Sequence, residues 1–246
     1  MRVRKVIEVV QFAKSFGTKT VHRDISFDVH EGECLGLIGG SGTGKSVLLR
    51  SLIGLMKPDA GRILIDGQDI TGLRERDLIP IRKKVAYAFQ GGALFDSMTV
   101  YENLAYPLRE HTNLREPEIA EKITHLLGEF GLTGNEKIYP SSLSGGMQKR
   151  LGLARAIIMN PEVILYDEPT AGLDPYNTKR ISEMILQLKR MGKTGILVTH
   201  DMPVAFAVCD RIAMIMNGRI LAIATPQEIQ AKMDHPIRNF AEGEVL

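Results

Sequence analysis

Residues 39 to 46 combine the amino-acid types and the spacing of a loop that binds phosphate. They read Gly39-Gly40-Ser41-Gly42-Thr43-Gly44-Lys45-Ser46, which fits the pattern G-x-x-x-x-G-K-S. Because glycine has no Cβ, such a loop can turn several backbone N–H groups towards one anion. The Lys45 ammonium would reach the β- and γ-phosphates of a nucleotide, and the Ser46 hydroxyl would bind Mg²⁺. We predict that this loop, with Val47 behind it, binds a nucleotide.

The sequence on either side of the loop predicts the elements that must position it. The apolar run Cys34–Ile38 predicts a short strand before the loop, and residues 47–54 have helical spacing after it. The partial positive charge at a helix N-terminus favours phosphate. A glycine-rich turn that simply introduces a helix is the alternative, and the order strand, loop, helix argues against it.

An acidic pair follows a second apolar run. Asp167 and Glu168 come directly after residues 163–166, which predict a buried strand. Transfer of a phosphoryl group to water needs a metal ion, neutralised charge and an oriented water. Asp167 is placed to hold Mg²⁺, directly or through water, and Glu168 to act as the general base. An acidic pair can also cap the turn after a strand, but the upstream loop favours the catalytic interpretation.

Two more polar residues stand at the ends of predicted strands. His200 follows the apolar run 195–199, and Gln90 follows the run 85–89. An open α/β sheet binds ligands beyond the carboxyl ends of its parallel strands, so we expect both side chains near the phosphate site. The competing interpretations are a structural histidine and a solvated loop amide.

The hydrophobic pattern indicates an α/β fold with a mostly parallel core sheet. Apolar strands that alternate with helices are typical of a sheet buried on both faces. The start of the chain instead alternates as antiparallel strands do, which predicts an antiparallel β subdomain. Asn217-Gly218, between two apolar runs, predicts a two-residue hairpin. Residues 1–90 and 160–246 together make up this core and the β subdomain.

The middle of the chain, from about residue 91 to residue 159, has helical spacing. We interpret it as an α-helical subdomain inserted into the core. Pro107 and Pro117 are predicted to divide it into separate helices, because proline lacks an N–H donor and disrupts a helix interior.

Composition is that of an ordinary globular protein, with 44% hydrophobic and 24% charged residues in 246. A net charge of +2 predicts neither a nucleic-acid-binding stripe nor an acidic tail. No uncharged apolar stretch follows the basic residues 1–6, so we expect no secretory signal. Cys34 and Cys209 lie far apart in apolar surroundings, which favours two buried, reduced thiols over a disulfide.

These motifs together resemble the ATP-binding-cassette (ABC) family over nearly the whole chain. Leu143–Met147 resembles the family signature LSGGQ, with Met147 in place of glutamine. Residues 166–174 resemble the Walker B motif running into the D-loop. Gln90 matches the Q-loop, His200 the H-loop, and Phe16 the aromatic A-loop position that stacks on adenine. The resemblance implies a P-loop NTPase of the ABC type with a RecA-like core.

The resemblance also implies a mechanism that needs two copies of the chain. In the family, two domains associate head to tail, so that ATP lies between the P-loop of one and Ser144, Gly145 and Gly146 of the other. Glu168 would activate water, His200 would contact the γ-phosphate, and Asp174 would link the two sites. Gln90 would join Ser46 and Asp167 at the metal and relay the state of the nucleotide. The implied cofactors are ATP and Mg²⁺.

Residues 90–112 and the C-terminal tail, from about 234 to 246, are similar to the Mla-type ATPases of bacterial phospholipid trafficking. That resemblance implies a homodimer at the cytoplasmic face of the inner membrane. It implies as partners transmembrane permease subunits, an MCE-domain protein and a small accessory protein, and no nucleic acid. The competing hypothesis is the ATPase of an importer for a small polar solute. A soluble ABC ATPase of DNA repair or translation is a third hypothesis.

Overall fold

Ten strands form one continuous sheet within residues 4–243, the part of the chain that this computed structural model describes. Residues 1–3, which begin the segment considered above for a signal, and residues 244–246 of the predicted tail lie outside the described part. The strands are β1 (Lys5–Phe16), β2 (Lys19–His30), β3 (Cys34–Ile38), β4 (Ala60–Ile65), β5 (Gln68–Asp69), β6 (Val85–Ala88), β7 (Val163–Asp167), β8 (Thr194–Val198), β9 (Arg211–Met216) and β10 (Arg219–Ala224).

Nine α-helices connect or cover these strands in the same range of residues. They are α1 (Lys45–Leu52), α2 (Glu75–Lys84), α3 (Val100–His111), α4 (Glu116–Glu129), α5 (Gly145–Ile157), α6 (Pro175–Arg190), α7 (Met202–Val208), α8 (Pro226–Ala231) and α9 (Pro236–Glu242), with a short 3-10 helix at Pro140–Ser142. No helix among residues 4–243 is both long enough and apolar enough to cross a membrane.

The parallel half of the sheet runs in the order β9-β3-β8-β7-β6. Every residue of β3, β7 and β8 is buried, because hydrophobic clusters cover both faces of this half. The pairs Leu37 with Val198 and Asp167 with Val198 bring the carboxyl ends of β3, β7 and β8 to one edge. The predicted α/β class with a parallel core is confirmed.

The other half of the sheet is mostly antiparallel and has the order β5-β4-β1-β2-β10. β1 pairs with β2 and with β4. Four register shifts interrupt its pairing with β2, and one interrupts its pairing with β4. A single parallel pair, Arg219 with Asp24, joins β10 to β2, and β10 returns antiparallel along β9. The hairpin predicted at Asn217-Gly218 is confirmed, and both residues have the positive φ that its turn requires.

The helices α3, α4 and α5 occupy the segment predicted as an inserted subdomain, and both α4 and α5 pack against α3. The division of the chain into subdomains stays a prediction. Pro117 lies in the first turn of α4, where a proline starts a helix, as predicted.

The prediction for Pro107 was wrong, because α3 continues through it from Val100 to His111. A proline inside a helix costs about 3 kcal/mol, since it removes one hydrogen bond and crowds the preceding turn. Leu104, Ala105 and Leu108 are fully buried on both sides of Pro107. Burial of each leucine stabilises by about 1.5–3 kcal/mol, which offsets the lost bond.

Candidate nucleotide-binding site

The predicted phosphate loop connects β3 to α1, and α1 begins at Lys45. Gly39 has φ 148°, and a Cβ there would lie 2.4 Å from the carbonyl oxygen of Ile215, so the close approach of β9 requires glycine. Lys45 Nζ donates to the carbonyl oxygens of Gly39 at 2.8 Å and Gly40 at 3.0 Å. The ammonium therefore lies across the loop, where it can exchange these carbonyls for phosphate oxygens.

The first turn of α1 supplies backbone donors at the same place. Lys45, Ser46 and Val47 are its first three residues, and N–H groups in a first turn have no partner within the helix. Burial lowers the pKa of Lys45, while the nearby charges of Glu168 and Asp167 act in the opposite direction. Desolvation strengthens the attraction between this lysine and an incoming phosphate.

A buried histidine supports the loop from β2, and the sequence did not predict it. His22 Nε2 lies 3.1 Å from the carbonyl oxygen of Gly44, and a Cβ on Gly44 would lie only 2.5 Å from the same nitrogen. A carbonyl only accepts, so Nε2 carries the proton and donates. Among the described residues, Nδ1 of His22 has no hydrogen-bond partner. Burial lowers the pKa of His22, which keeps the ring neutral.

Ser46 and Asp167 meet as the sequence predicted for a metal site. Ser46 Oγ donates to Oδ1 of Asp167 at 2.8 Å, and Tyr87 donates its hydroxyl to Oδ2 at 2.6 Å. Burial and the hydrogen bond to Asp167 raise the pKa of Tyr87 well above its usual value, so the phenol keeps its proton. Hydroxyl and carboxylate oxygens are ligands that suit Mg²⁺, so this pair fits the metal.

Glu168 and His200 form the second contact at the same edge of the sheet. Nδ1 of His200 lies 2.8 Å from Oε2 of Glu168, and the Glu168 side chain is only 15% exposed whereas that of His200 is 68% exposed. Glu168 has φ 49°, a conformation that costs a residue with a Cβ about 1–3 kcal/mol. The Glu168 N–H donates to the carbonyl of Val198 at 3.0 Å, which fixes this conformation.

Gln90 follows β6 at the same edge but has an exposed side chain. Its backbone carbonyl accepts a hydrogen bond from Lys149 of α5. Arg155, on the same helix, donates to the carbonyls of Gly92 at 3.2 Å and Ala93 at 2.6 Å. Helix α5 thus holds the backbone of the loop that starts at Gln90, while no hydrogen bond in residues 4–243 joins the Gln90 side chain to Ser46 or Asp167.

The predicted signature residues lie at the N-terminus of α5. Ser144 is the N-cap, with Oγ accepting from the N–H of Met147 at 3.4 Å, and Ser144 and Gly145 are exposed while Gly146 is buried. Within the described chain, no hydrogen bond connects these residues to the phosphate loop. The exposure of Ser144 and Gly145 at a helix N-terminus leaves backbone donors open to an anion brought by another molecule.

Asp174 is the N-cap of α6. It is connected to the signature by Asn177, a residue that the sequence pattern did not single out. Its carboxylate accepts from the N–H of Asn177 at 3.0 Å and from Nδ2 of Asn177 at 2.6 Å. A Cβ on Gly146 would lie 2.3 Å from Oδ1 of Asn177, so Asn177 packs directly on the signature. Phe16 ends β1 with its ring 46% exposed and with Nζ of Lys14 5.6 Å from the ring centroid.

Both cysteines are buried and free, as predicted. A hydrogen-bonding contact with Cys34, together with burial, raises the pKa of the Cys209 thiol, so it stays protonated.

The sequence was compared with known proteins. A family model described as "ABC transporter" matches residues 22–171. The chain is 44% identical over 239 residues to the "Probable ribonucleotide transport ATP-binding protein mkl" of Mycobacterium leprae, which covers 96% of this chain and 69% of that protein. It is 37% identical over 242 residues to the "Intermembrane phospholipid transport system ATP-binding protein MlaF" of Escherichia coli K12, covering 98% and 90%. It is 40% identical over 238 residues to the "Methionine import ATP-binding protein MetN" of Geobacillus kaustophilus, covering 96% and 67%.

The fold was compared with solved structures. It matches the dimeric structure of the ATP-binding cassette MJ0796 in a post-hydrolysis state, bound to ADP and Pi, with a TM-score of 0.83 and 29% identity. The match covers 89% of this chain and 98% of that one.

Proposed function

This chain belongs to the ABC transporter family as its ATP-hydrolysing subunit, and we propose that it energises the transport of phospholipid between bacterial envelope membranes. The observation that carries the catalytic part is the meeting of Ser46 with Asp167 and of Glu168 with His200 beside one phosphate loop. The support for lipid is the similarity to MlaF, which extends over 90% of that protein.

The catalytic step follows from where these side chains lie. Lys45 and the N–H groups of the first turn of α1 would bind the phosphates. Ser46 and Asp167 would hold Mg²⁺, and the bound metal would supply positive charge that neutralises the phosphates during transfer to water. Glu168 accepts the proton of the attacking water, because its carboxylate is at the edge of the site and fixed by its backbone. His200 orients that carboxylate through the 2.8 Å contact, and its exposed imidazole would be free to contact the γ-phosphate.

The proposed site is completed by a second copy of the chain. Ser144, Gly145 and Gly146 lie at an exposed helix N-terminus, which is suited to bind the γ-phosphate held by a partner. The dimeric state of the MJ0796 cassette supports this arrangement. Asp174 and Asn177 lie beside the signature, so a head-to-tail dimer would place them at the contact between the two sites.

An exposed aromatic pair supports a separate permease as partner. Phe95 and Tyr106 are 41% and 42% exposed, and their rings pack edge to face with centroids 5.3 Å apart. The Arg155 guanidinium packs over the Phe95 ring, 5.1 Å from the ring centroid. An exposed apolar pair on a fixed base is typical of a protein contact, and we infer that it receives a permease helix at the cytoplasmic face of the inner membrane.

The second candidate is the ATPase of an importer for a small polar solute, which the 40% identity to MetN favours. The two candidates differ in partner and in cargo. The lipid candidate has an MCE-type protein as a proposed partner, with or without a small accessory protein, and neither candidate involves nucleic acid. A soluble cassette ATPase of DNA repair or translation has no such permease contact.

Purification of the chain with its permease from membranes tests the proposal. We expect an MCE-domain protein to co-purify, phospholipid to be found by mass spectrometry of the extracted complex, and ATP hydrolysis to depend on Mg²⁺. A solute-binding protein as the only further partner, with no bound lipid, would establish the importer instead. An inactive wild-type complex that binds no ATP would overturn both.

A further inference from the structure

One buried side chain touches the candidate metal site and has no part in the mechanism above. Tyr87 lies at the penultimate position of β6 and is 9% exposed, and its hydroxyl donates to Oδ2 of Asp167 at 2.6 Å. We propose that Tyr87 is a positioning residue that fixes the Asp167 carboxylate for Mg²⁺ and thereby sets the metal affinity of the site. The inference rests on the proposed function, because it assumes that Asp167 holds this metal.

The sheet places the phenol and the carboxylate on one face. Strands β6 and β7 are parallel neighbours, and Tyr87 is paired with Leu165. Side chains two residues apart on a strand share a face, so Asp167 points to the same side as Leu165. Both Tyr87 and Leu165 belong to the hydrophobic cluster on that face. The hydroxyl of Tyr87 therefore reaches Asp167 on the neighbouring strand along the same face of the sheet.

The hydrogen bonds of Asp167 explain why a second donor matters. Ser46 donates to Oδ1, and its hydroxyl can keep that bond while one of its lone pairs binds the metal. Oδ1 thus has Ser46 as its donor, and Tyr87 is the donor that holds the other oxygen, Oδ2. Asp167 is only 3% exposed, so few waters are available to replace that donor. Partners of metal ligands that act in this way typically change affinity by 10–100-fold when removed.

The ring of Tyr87 is itself held in place. It packs on the ring of Phe89 with centroids 4.2 Å apart and an interplanar angle of 33°. A phenylalanine at position 87 would keep this packing and remove only the hydroxyl. The variant Tyr87→Phe therefore separates the proposed role from a structural one.

The next strand offers a matched control. Tyr166 precedes Asp167 in β7 and is 2% exposed, but it belongs to the cluster on the opposite face of the sheet. No hydrogen bond in the described residues joins its hydroxyl to Asp167. Tyr166→Phe removes a buried phenol of the same kind from the same neighbourhood without touching the carboxylate.

The experiment measures Mn²⁺ binding by electron paramagnetic resonance, in the presence of a non-hydrolysable ATP analogue. We expect Y87F to bind Mn²⁺ roughly 10-fold more weakly than wild type, with the analogue's affinity in EDTA unchanged. The Mg²⁺ concentration for half-maximal ATP hydrolysis should rise by a similar factor, and excess Mg²⁺ should restore much of the rate. Y166F should match wild type in all three measurements.

Equal Mn²⁺ affinity in Y87F and wild type would overturn the inference, and so would an equal loss in Y166F. A loss of analogue binding in EDTA would also overturn it, since that would show a general disturbance of the site. If wild type itself binds neither the analogue nor Mn²⁺, the proposed function fails instead. The two failures are therefore distinguishable.

Discussion

Nδ1 of His200 lies 2.8 Å from Oε2 of Glu168, although the two residues follow different strands and are 32 positions apart. The parallel pairing of β7 with β8 brings these strand ends together. The exposed histidine therefore lies against the largely buried carboxylate that we propose as the general base.

The first prediction concerns this carboxylate. Glu168→Gln keeps a side chain of the same shape but removes the general base, so kcat should fall by about 10²–10⁴-fold while ATP binding persists. ATP-bound dimers should accumulate and can be seen by size-exclusion chromatography. Glu183→Gln, which makes the same change at an exposed position of α6, is the control and should hydrolyse ATP normally. Full ATP hydrolysis by E168Q would refute the role of Glu168.

The second prediction concerns the contact between α5 and the loop after Gln90. A Cβ on Gly152 would lie 2.6 Å from Cα of Gly92, which is backbone and has little room to move. Gly152→Ala should lower the free energy of unfolding by about 1–3 kcal/mol, through overpacking. Gly128→Ala, near the end of α4, meets nothing closer than 4.0 Å and should raise it by about 0.5 kcal/mol. Urea denaturation of both variants measures the difference, and a stabilised G152A would contradict the observed packing.

The third prediction uses the lowered pKa of His22, which burial causes. The unfolded chain, with an ordinary histidine pKa of 6.5, then binds more protons than the folded chain as the pH falls below that value. This histidine therefore contributes a loss of stability with falling pH. His22→Gln keeps a donor for the Gly44 carbonyl but does not titrate, so its stability should fall less between about pH 7.5 and about pH 5.5. Urea midpoints of both proteins at both pH values test this. An equal drop in midpoint in wild type and H22Q would rule it out.

Much of the site could be predicted from the sequence because its residues end apolar runs. Asp167 ends a buried strand, and Glu168, His200 and Gln90 come one or two positions after the end of one. Parallel strands bring such ends to one edge. The phosphate loop carries its own pattern. Local sequence was therefore enough to place these residues near one another.

Other contacts could not be predicted because they join residues that no local pattern relates. Tyr87 of β6 contacts Asp167 of the neighbouring strand β7, and Asn177 of α6 packs on Gly146 of α5. His22 is three positions before Ile25 in β2, so it is out of phase with the buried alternation of Ile25, Phe27 and Val29, and irregular pairing with β1 buries it. The prediction for Pro107 failed for a related reason. The free energy gained by burying the apolar side chains of α3 outweighs the local cost of a proline inside a helix.

We propose that a complete site takes its phosphate loop from one chain and Ser144 from a second copy, and ATP hydrolysis by a mixture of two variants distinguishes this arrangement from a site within one chain. Lys45→Ala should abolish nucleotide binding in its own loop, and Ser144→Arg should prevent completion of the partner's site. Each variant alone should be inactive. A head-to-tail dimer of one K45A chain with one S144R chain retains one intact site, so an equal mixture should recover about a quarter of wild-type ATP hydrolysis. An inactive mixture, or S144R alone hydrolysing ATP at the wild-type rate, would show that the site does not form between two copies in this way.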